Sequence, residues 1–303
     1  MRPRPPYDFE LTARYATHFS GRDGTGVFEN GRLYRPIDVG GTLALTIVKS
    51  TGTVESPSLE VLVKSPNLTD AIVDEAQRQT GWALGTEEDL APFYSMASND
   101  RHLAAIVQRL HGLHTPRAAS VFEALVLAIL GQQISAPVAR VLRTLLIRTY
   151  GAGLYEAGET YYAFPRPTVL AEADVDGLRK IKLTARKSEF VADISSQVAS
   201  GELDLEGLRD ASTEEAVRRL TEIRGVGPWT AHWLLIRSLG RGDGFPHGDL
   251  ALQRTVGLLA NEGNPMTPQQ TLDYSERWRP YRSYVTTYLF AAMRSGILSA
   301  SGE

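Results

Sequence analysis

Short runs of apolar, β-branched residues alternate with Gly, Ser and Pro through the first part of the chain. Residues 41–50 and 58–65 are two such runs, and this pattern predicts β-strands. Gly40 and Gly41 open the first run and are typical of a hairpin turn. Residues 67–81 then show helical spacing, between an asparagine and a glycine that act as start and stop signals.

The pattern changes near Asn99, after which the apolar positions recur only at helical spacing. Helix starts are indicated by Ser120 with Glu123 and by Ser212 with Glu215. A serine followed three residues later by glutamate can form a capping box, in which each side chain accepts a hydrogen bond from the other residue's backbone. Helices alone are therefore expected from this point to the end of the chain.

Together these patterns predict an α+β protein with two domains, in keeping with a length of 303 residues. The first domain, residues 1–98, is predicted to be mixed α/β, with an antiparallel sheet and helices. The second, residues 99–303, is predicted to be all-α. Hydrophobic residues make up 43% of the chain, which is enough for a sizeable core.

Charge is spread unevenly along the chain. The net charge is −3, so bulk electrostatics do not mark the whole molecule as a nucleic-acid binder. Residues 101–150 nevertheless carry several arginines and one acid, Glu123. Such a run is usually a solvated helix face, and the alternative is a basic surface that meets a phosphate backbone.

The chain has no cysteine, which excludes disulfides, thiolate zinc sites, cysteine nucleophiles and cysteine-held iron–sulfur clusters. The N-terminus has no apolar segment of the secretory kind, and no apolar run is long enough to cross a bilayer. We therefore expect a soluble protein of the cytoplasm that does not bind membranes.

The string "RGVGPW" places two glycines immediately before a proline. Gly225 and Gly227 can adopt positive φ and leave their amides uncovered, and Pro228 suits the first turn of a following helix. Amides at a helix N-terminus can bind a phosphate oxygen without reading the base. The alternative is a tight connection between two helices with no ligand.

Two tryptophans and one acid follow this turn. Trp229 and Trp233 are four residues apart, so they share a helix face that is either core or the wall of a stacking pocket. Asp249 precedes an apolar helical run, where it could cap the helix. A carboxylate at the mouth of an aromatic pocket could also stabilise the positive charge that develops on a sugar as its glycosidic bond breaks.

Several strings resemble the helix-hairpin-helix DNA glycosylases, and within them the bacterial 3-methyladenine DNA glycosylase II (AlkA-like) type. "LTEIRGVGPWTAHW" and "FPHGDLALQR" carry the resemblance most strongly. "FEALVLAILGQQIS", "ERWRPYRSY" and "PPYDFELTARY" agree with it, so that it covers nearly the whole chain. The resemblance implies an N-terminal α/β domain beside a larger helical region, with a base pocket in the cleft.

By position, the resemblance makes Asp249 the catalytic aspartate and gives Gly225 and Gly227 amides that meet a DNA phosphate. It also implies three groups of site residues. Aromatic base-pocket positions fall on Trp229, Trp233 and Tyr281, with Tyr15 as a looser fourth wall. The carbonyls of a monovalent-cation site fall on Thr221, Ile223 and Val226. The wedge that fills the gap left by a flipped base falls on Gln133 or Ile134.

Three departures from the family pattern matter. Relatives often carry leucine at the wedge, where Gln133 stands here, and an aromatic residue where Leu250 follows the acid. Bifunctional relatives carry a Schiff-base lysine at the position of Trp229. The resemblance therefore implies a monofunctional hydrolase that leaves an intact abasic site.

The implied activity is removal of alkylated purines, such as 3-methyladenine and 7-methylguanine, from double-stranded DNA at the start of base excision repair. A monomer is expected to suffice, and no cofactor is required for the chemistry. Two alternatives remain. One is a glycosylase for oxidised or mismatched bases, and the other is a non-catalytic helix-hairpin-helix DNA-binding protein.

Overall fold

The computed structural model describes residues 1–18 and 25–298. A four-stranded antiparallel sheet with helices forms the N-terminal part, and the rest is mainly helical, so the predicted α+β class is confirmed. Within the described ranges, no helix is long and apolar enough to cross a membrane.

The sheet has the order β1-β2-β3-β4, and each strand pairs with the next in antiparallel fashion. Its strands are β1 Val27–Glu29, β2 Arg32–Val39, β3 Thr42–Ser50 and β4 Leu59–Lys64. The two strands predicted from the sequence are β3 and β4, and the predicted turn joins β2 to β3. Gly40 and Gly41 have φ of 54° and 98° there, a conformation that glycine adopts most readily. Pro36 and several charged residues hid β2 from the apolar pattern.

Fourteen helices are described. They are α1 Phe9–Thr17, α2 Asp70–Leu84, α3 Ala91–Ser98, α4 Leu103–Arg109, α5 Val121–Gly131, α6 Ala136–Tyr150, α7 Pro167–Glu172, α8 Asp174–Lys180, α9 Ala185–Ser200, α10 Thr213–Glu222, α11 Pro228–Arg237, α12 Leu250–Ala260, α13 Pro268–Ser275 and α14 Arg282–Arg294. Two short 3-10 helices span Glu206–Arg209 and Glu276–Trp278.

The predicted helix starts hold at α5 and α10, where Ser120 and Ser212 accept hydrogen bonds from the backbone N–H of Glu123 and Glu215. The helix predicted over residues 67–81 is α2, which begins and ends three residues later than predicted. It is capped by the Thr69 side chain, runs through its internal glycine and ends at a left-handed Gly85.

The expectation of helices alone after Asn99 is wrong at one place. Strands β5 Gly153–Glu156 and β6 Glu159–Tyr162 form an antiparallel hairpin. Tyr161 on β6 stacks on Tyr34 of β2, with ring centroids 5.3 Å apart, so the hairpin packs on the N-terminal sheet. Strands of four residues are too short to give a clear alternation in the sequence.

Three groups of buried side chains form the main cores. The sheet core includes Leu33, Val48 and Leu84. The central core is built by α5 to α11 and includes Leu125, Val191 and Leu234. The third core joins α3 and α4 to α12 and α14 and includes Phe93, Leu103, Leu252, Trp278 and Tyr288. The third core thus draws on residues from both sides of the predicted domain boundary at 98/99, which stays a prediction.

Candidate active site

A glycine-containing turn, residues 223–227 and called the hairpin below, joins α10 to α11. Gly225 has φ of 91°, and a Cβ placed on it would lie 2.5 Å from Cδ2 of Phe190, so both its conformation and its surroundings require glycine. Gly227 has φ of −104°, which corrects the expectation of a positive φ at both glycines. Its Cβ position meets nothing within 4 Å, and α11 begins without a side-chain cap. The start of α11 is therefore open to a ligand.

The three residues predicted to offer carbonyls to a monovalent cation lie at the end of α10 and in the hairpin. The Ile223 carbonyl accepts a hydrogen bond from the N–H of Val226 at 3.0 Å, and the Val226 side chain is buried. A carbonyl oxygen has a second lone pair, so this bond does not exclude a cation. The role of Thr221, Ile223 and Val226 stays a prediction.

Asp249 is the N-cap of α12 and is half-buried. Its Oδ1 accepts hydrogen bonds from the backbone N–H of Ala251 at 2.9 Å and of Leu252 at 3.1 Å. Its Oδ2 accepts from Nε1 of Trp229 at 3.0 Å. The capping role proposed from the sequence is therefore present, and the same bonds fix the carboxylate beside the indole of α11.

The two tryptophans of α11 form part of a partly exposed aromatic wall. The rings of Trp229 and Trp233 meet edge to face, with centroids 6.3 Å apart and an interplanar angle of 72°. Phe290 of α14 extends this wall, with its ring 5.6 Å from that of Trp233. Sequence reasoning missed Phe290, because helical spacing marks it only as one more apolar residue of α14.

The role of Tyr281 as a base-pocket residue stays a prediction. Its ring lies 6.5 Å from Phe93 and 6.5 Å from Tyr284, at the start of α14, and no ring contact with either tryptophan occurs in the part of the chain that the structure describes. The two looser candidates differ in exposure. Tyr15 is 8% exposed, with the Arg294 guanidinium 4.5 Å above its ring, and Leu250 is 69% exposed.

The turn after α5, residues 132–134, contains both candidates for the wedge and is called the wedge turn below. The two candidates differ in their exposure. Gln133 is exposed and has φ of 56°. Ile134 is half-buried against the central core. Gln132, which the sequence did not single out, donates from Nε2 to the carbonyl of Gly225 at 3.0 Å and to Oγ1 of Thr230 at 3.1 Å. The wedge turn is therefore bonded to the hairpin and to α11.

Two histidines lie near the acid. Nδ1 of His232 accepts a hydrogen bond from the N–H of Phe245 at 3.1 Å, and burial lowers the pKa of His232 to about 4, so the ring is neutral at pH 7. His247, two residues before Asp249, contacts the His232 ring at a centroid distance of 6.2 Å. No group of three or more His, Asp or Glu side chains in the described ranges is arranged to hold a metal ion.

The arginines of residues 101–150 differ in exposure. Arg117 is 8% exposed, with its guanidinium 4.3 Å from the Trp82 ring and paired with Glu88. Arg140 and Arg148 are exposed on α6. The run thus combines a buried guanidinium with exposed positions on α6.

Comparison with known proteins agrees with this geometry. The family model for the HhH-GPD superfamily base excision DNA repair protein matches residues 126–280. A DNA-3-methyladenine glycosylase of Bacillus subtilis is 34% identical over 207 residues, 68% of each chain. DNA-3-methyladenine glycosylase 2 of Escherichia coli is 33% identical over 180 residues, 59% of this chain and 60% of that one.

Among solved structures, a 3-methyladenine DNA glycosylase from Archaeoglobus fulgidus superposes with a TM-score of 0.84 at 26% identity, over 99% of both chains. The family match spans the wedge turn, the hairpin and Asp249, and it ends before α14, which carries Phe290. The chain belongs to the HhH-GPD superfamily of base excision DNA repair proteins.

Proposed function

We propose that the protein is a DNA N-glycosylase that removes alkylated purines, such as 3-methyladenine and 7-methylguanine, by hydrolysis. The observation that carries this proposal is the carboxylate of Asp249, held by three hydrogen-bond donors at the edge of the Trp229–Trp233 wall. The names of the relatives from Bacillus subtilis and Escherichia coli point to the same substrate class.

Binding of double-stranded DNA would start at the hairpin. The uncapped start of α11 offers backbone amides and the positive end of the helix dipole to a phosphate. The open space around Gly227 lets a strand approach the backbone closely. Gln133 would then fill the gap in the stack, because it is exposed whereas Ile134 packs against the central core.

The flipped base would stack against the aromatic wall. Trp229 and Trp233 present ring faces and edges that suit a flat base, and a cationic base gains a further attraction to the indole faces. Alkylation at a ring nitrogen makes the purine such a cation and weakens its bond to the sugar. Discrimination would then come largely from the quality of the leaving group.

Asp249 would act on the sugar as this bond breaks. The bonding electrons leave with the purine, which becomes neutral, and positive charge develops on the sugar. The fixed carboxylate stabilises that charge and orients a water for attack at the anomeric carbon. The water oxygen bonds to that carbon, its proton passes to the carboxylate or to solvent, and an abasic site remains.

The absence of lyase chemistry is part of the proposal. Trp229 donates to the acid from the position at which bifunctional relatives carry a lysine, so no amine stands there to attack the sugar. Action as a monomer, location in the cytoplasm and a monovalent cation in the hairpin stay predictions.

The test is release of free bases from methylated duplex DNA by the wild type and by Asp249→Asn. We expect the wild type to release 3-methyladenine and 7-methylguanine, and the variant to bind abasic DNA normally but release neither. Normal release by the variant would refute the role of Asp249. Binding by the wild type without any release would favour the non-catalytic alternative.

A further inference from the structure

The wedge turn holds a strained residue in place. Gln133 has φ of 56°, in the left-handed region that a non-glycine side chain rarely adopts. Such a conformation costs free energy and persists only when the surrounding structure enforces it. Two sets of hydrogen bonds to the residues just before Gln133 supply that constraint.

The first constraint is Lys187 of α9. Its Nζ donates to the carbonyl oxygens of Leu130 and Gln132, both at 2.8 Å, at the end of α5. The residue is 9% exposed, burial lowers the pKa of its ammonium, and it pairs with no carboxylate in the described ranges. Lys187 also lies in the first turn of α9, where a positive charge opposes the helix dipole. The charge therefore gains nothing from an ion pair or from its own helix, and its favourable contacts are with the C-terminal carbonyl groups of α5 that lead into the wedge turn.

The second constraint is the side chain of Gln132. One amide nitrogen donates to a hairpin carbonyl, that of Gly225, and to the hydroxyl of Thr230 on α11. A single side chain thus connects the residue before the proposed wedge to the turn that is proposed to bind phosphate.

The same helix that carries Lys187 also supports the hairpin. Phe190, one turn further along α9, packs against Gly225 so closely that no Cβ fits between them. The guanidinium groups of Arg186 and Arg224 lie 5.4 Å and 5.3 Å from its ring. The start of α9 therefore contacts the wedge turn through Lys187 and the hairpin through Phe190.

We propose that Lys187 and Gln132 are positioning residues that hold the wedge turn at a fixed distance from the phosphate-binding hairpin. This inference rests on the proposed function. With both contacts in place, the wedge turn and the hairpin form one rigid unit. Gln133 can then fill the gap in the DNA stack while the hairpin binds a phosphate of the same duplex. The two residues act on extrusion of the base, and bond cleavage after extrusion does not depend on them.

The first test compares base release from two duplexes. In one the alkylated base is normally paired, and in the other it faces an abasic analogue, so that little unpairing is needed. Each of Lys187→Met and Gln132→Met removes two hydrogen bonds that hold the wedge turn. We expect both variants to release the paired base at least about tenfold more slowly than the wild type. From the unpaired context both variants should match the wild type within about twofold.

Lys49→Met is the control, because Lys49 lies on the N-terminal sheet and pairs only with Glu60 on its surface. A merely structural role would lower release from both duplexes together and would overturn the proposal, as would unchanged release from both. Should Lys187→Met fail to fold, Gln132→Met carries the test, since it changes a half-buried side chain without removing a charge.

The second test does not depend on catalysis. A duplex with a tetrahydrofuran abasic analogue carries 2-aminopurine opposite the gap, and its fluorescence reports whether a side chain fills that gap. We expect a change on wild-type binding that Lys187→Met and Gln132→Met reduce and Lys49→Met retains. Equal changes in all proteins, or no change with the wild type, would overturn the inference. Gap filling by a wild type that releases no base would refute the proposed function alone.

Discussion

Replacing Trp229 by phenylalanine isolates the hydrogen bond between its indole and Asp249. The indole Nε1 donates to Oδ2 at 3.0 Å, and phenylalanine retains an aromatic ring while it removes this donor. Trp233→Phe is a matched control on the same helix face. Nε1 of Trp233 is buried and has no hydrogen-bond partner in the described part of the chain, so its loss breaks no bond.

The size of the effect follows from the bond that is lost. A hydrogen bond to a charged group contributes about 1.5–3 kcal/mol, and the partial exposure of both partners favours the lower value. A loss of about 1.5 kcal/mol from the transition state lowers the rate roughly tenfold. In the proposed mechanism the charge on the sugar develops only as the glycosidic bond breaks, so we expect the loss in the chemical step and not in DNA binding.

The assay is single-turnover release of 7-methylguanine from a defined duplex, with affinity for abasic DNA measured in parallel. We expect Trp229→Phe to be slowed about tenfold and Trp233→Phe by less than about threefold, both with near wild-type affinity. Equal slowing of the two variants, or a loss confined to affinity at Trp229, would refute the view that the indole orients the acid.

Two further predictions concern stability. Gly225→Ala forces a Cβ against Phe190 at a positive φ and should lower the free energy of unfolding by about 1–3 kcal/mol, whereas Gly227→Ala should leave the melting temperature unchanged. The pKa of His232 falls from 6.5 to about 4 on folding, so the unfolded chain binds more protons between these values and stability declines as pH falls through that window. Between pH 7 and pH 5 this decline should be about 1 kcal/mol after discounting for partial exposure, and denaturant titration of His232→Asn should show a correspondingly flatter pH profile.

Local chemistry explains which features the sequence could predict. Asp249 caps α12 because a short acceptor side chain before an apolar helical run favours that role. Trp229 and Trp233 share a face because they are one helical turn apart. Both features depend on residues that are close together in the sequence, so the sequence alone was enough to predict them.

The features that the sequence did not reveal depend on how distant elements dock. Phe290 reaches Trp233 only because α14 packs beside α11, and Tyr281 on the same segment faces Phe93 instead. Helical periodicity identifies the apolar face of α14 but not which residue meets another helix. The contact of Gln132 with Gly225 likewise spans 93 positions, and nothing in the local pattern of either segment indicates it.

Two contacts at the candidate site, Trp229 with Asp249 and Trp233 with Phe290, link the central core to the third core. Trp229 and Trp233 belong to α11, which is rooted in the central core, whereas Asp249 and Phe290 belong to helices of the third core. The acid and the indole that donates to it are thus held in place by two different groups of buried side chains. A destabilising substitution in either core, even far from Asp249, would shift the carboxylate relative to the indole while both cores stay folded. We therefore expect activity to be lost on heating at a lower temperature than the one at which the protein unfolds.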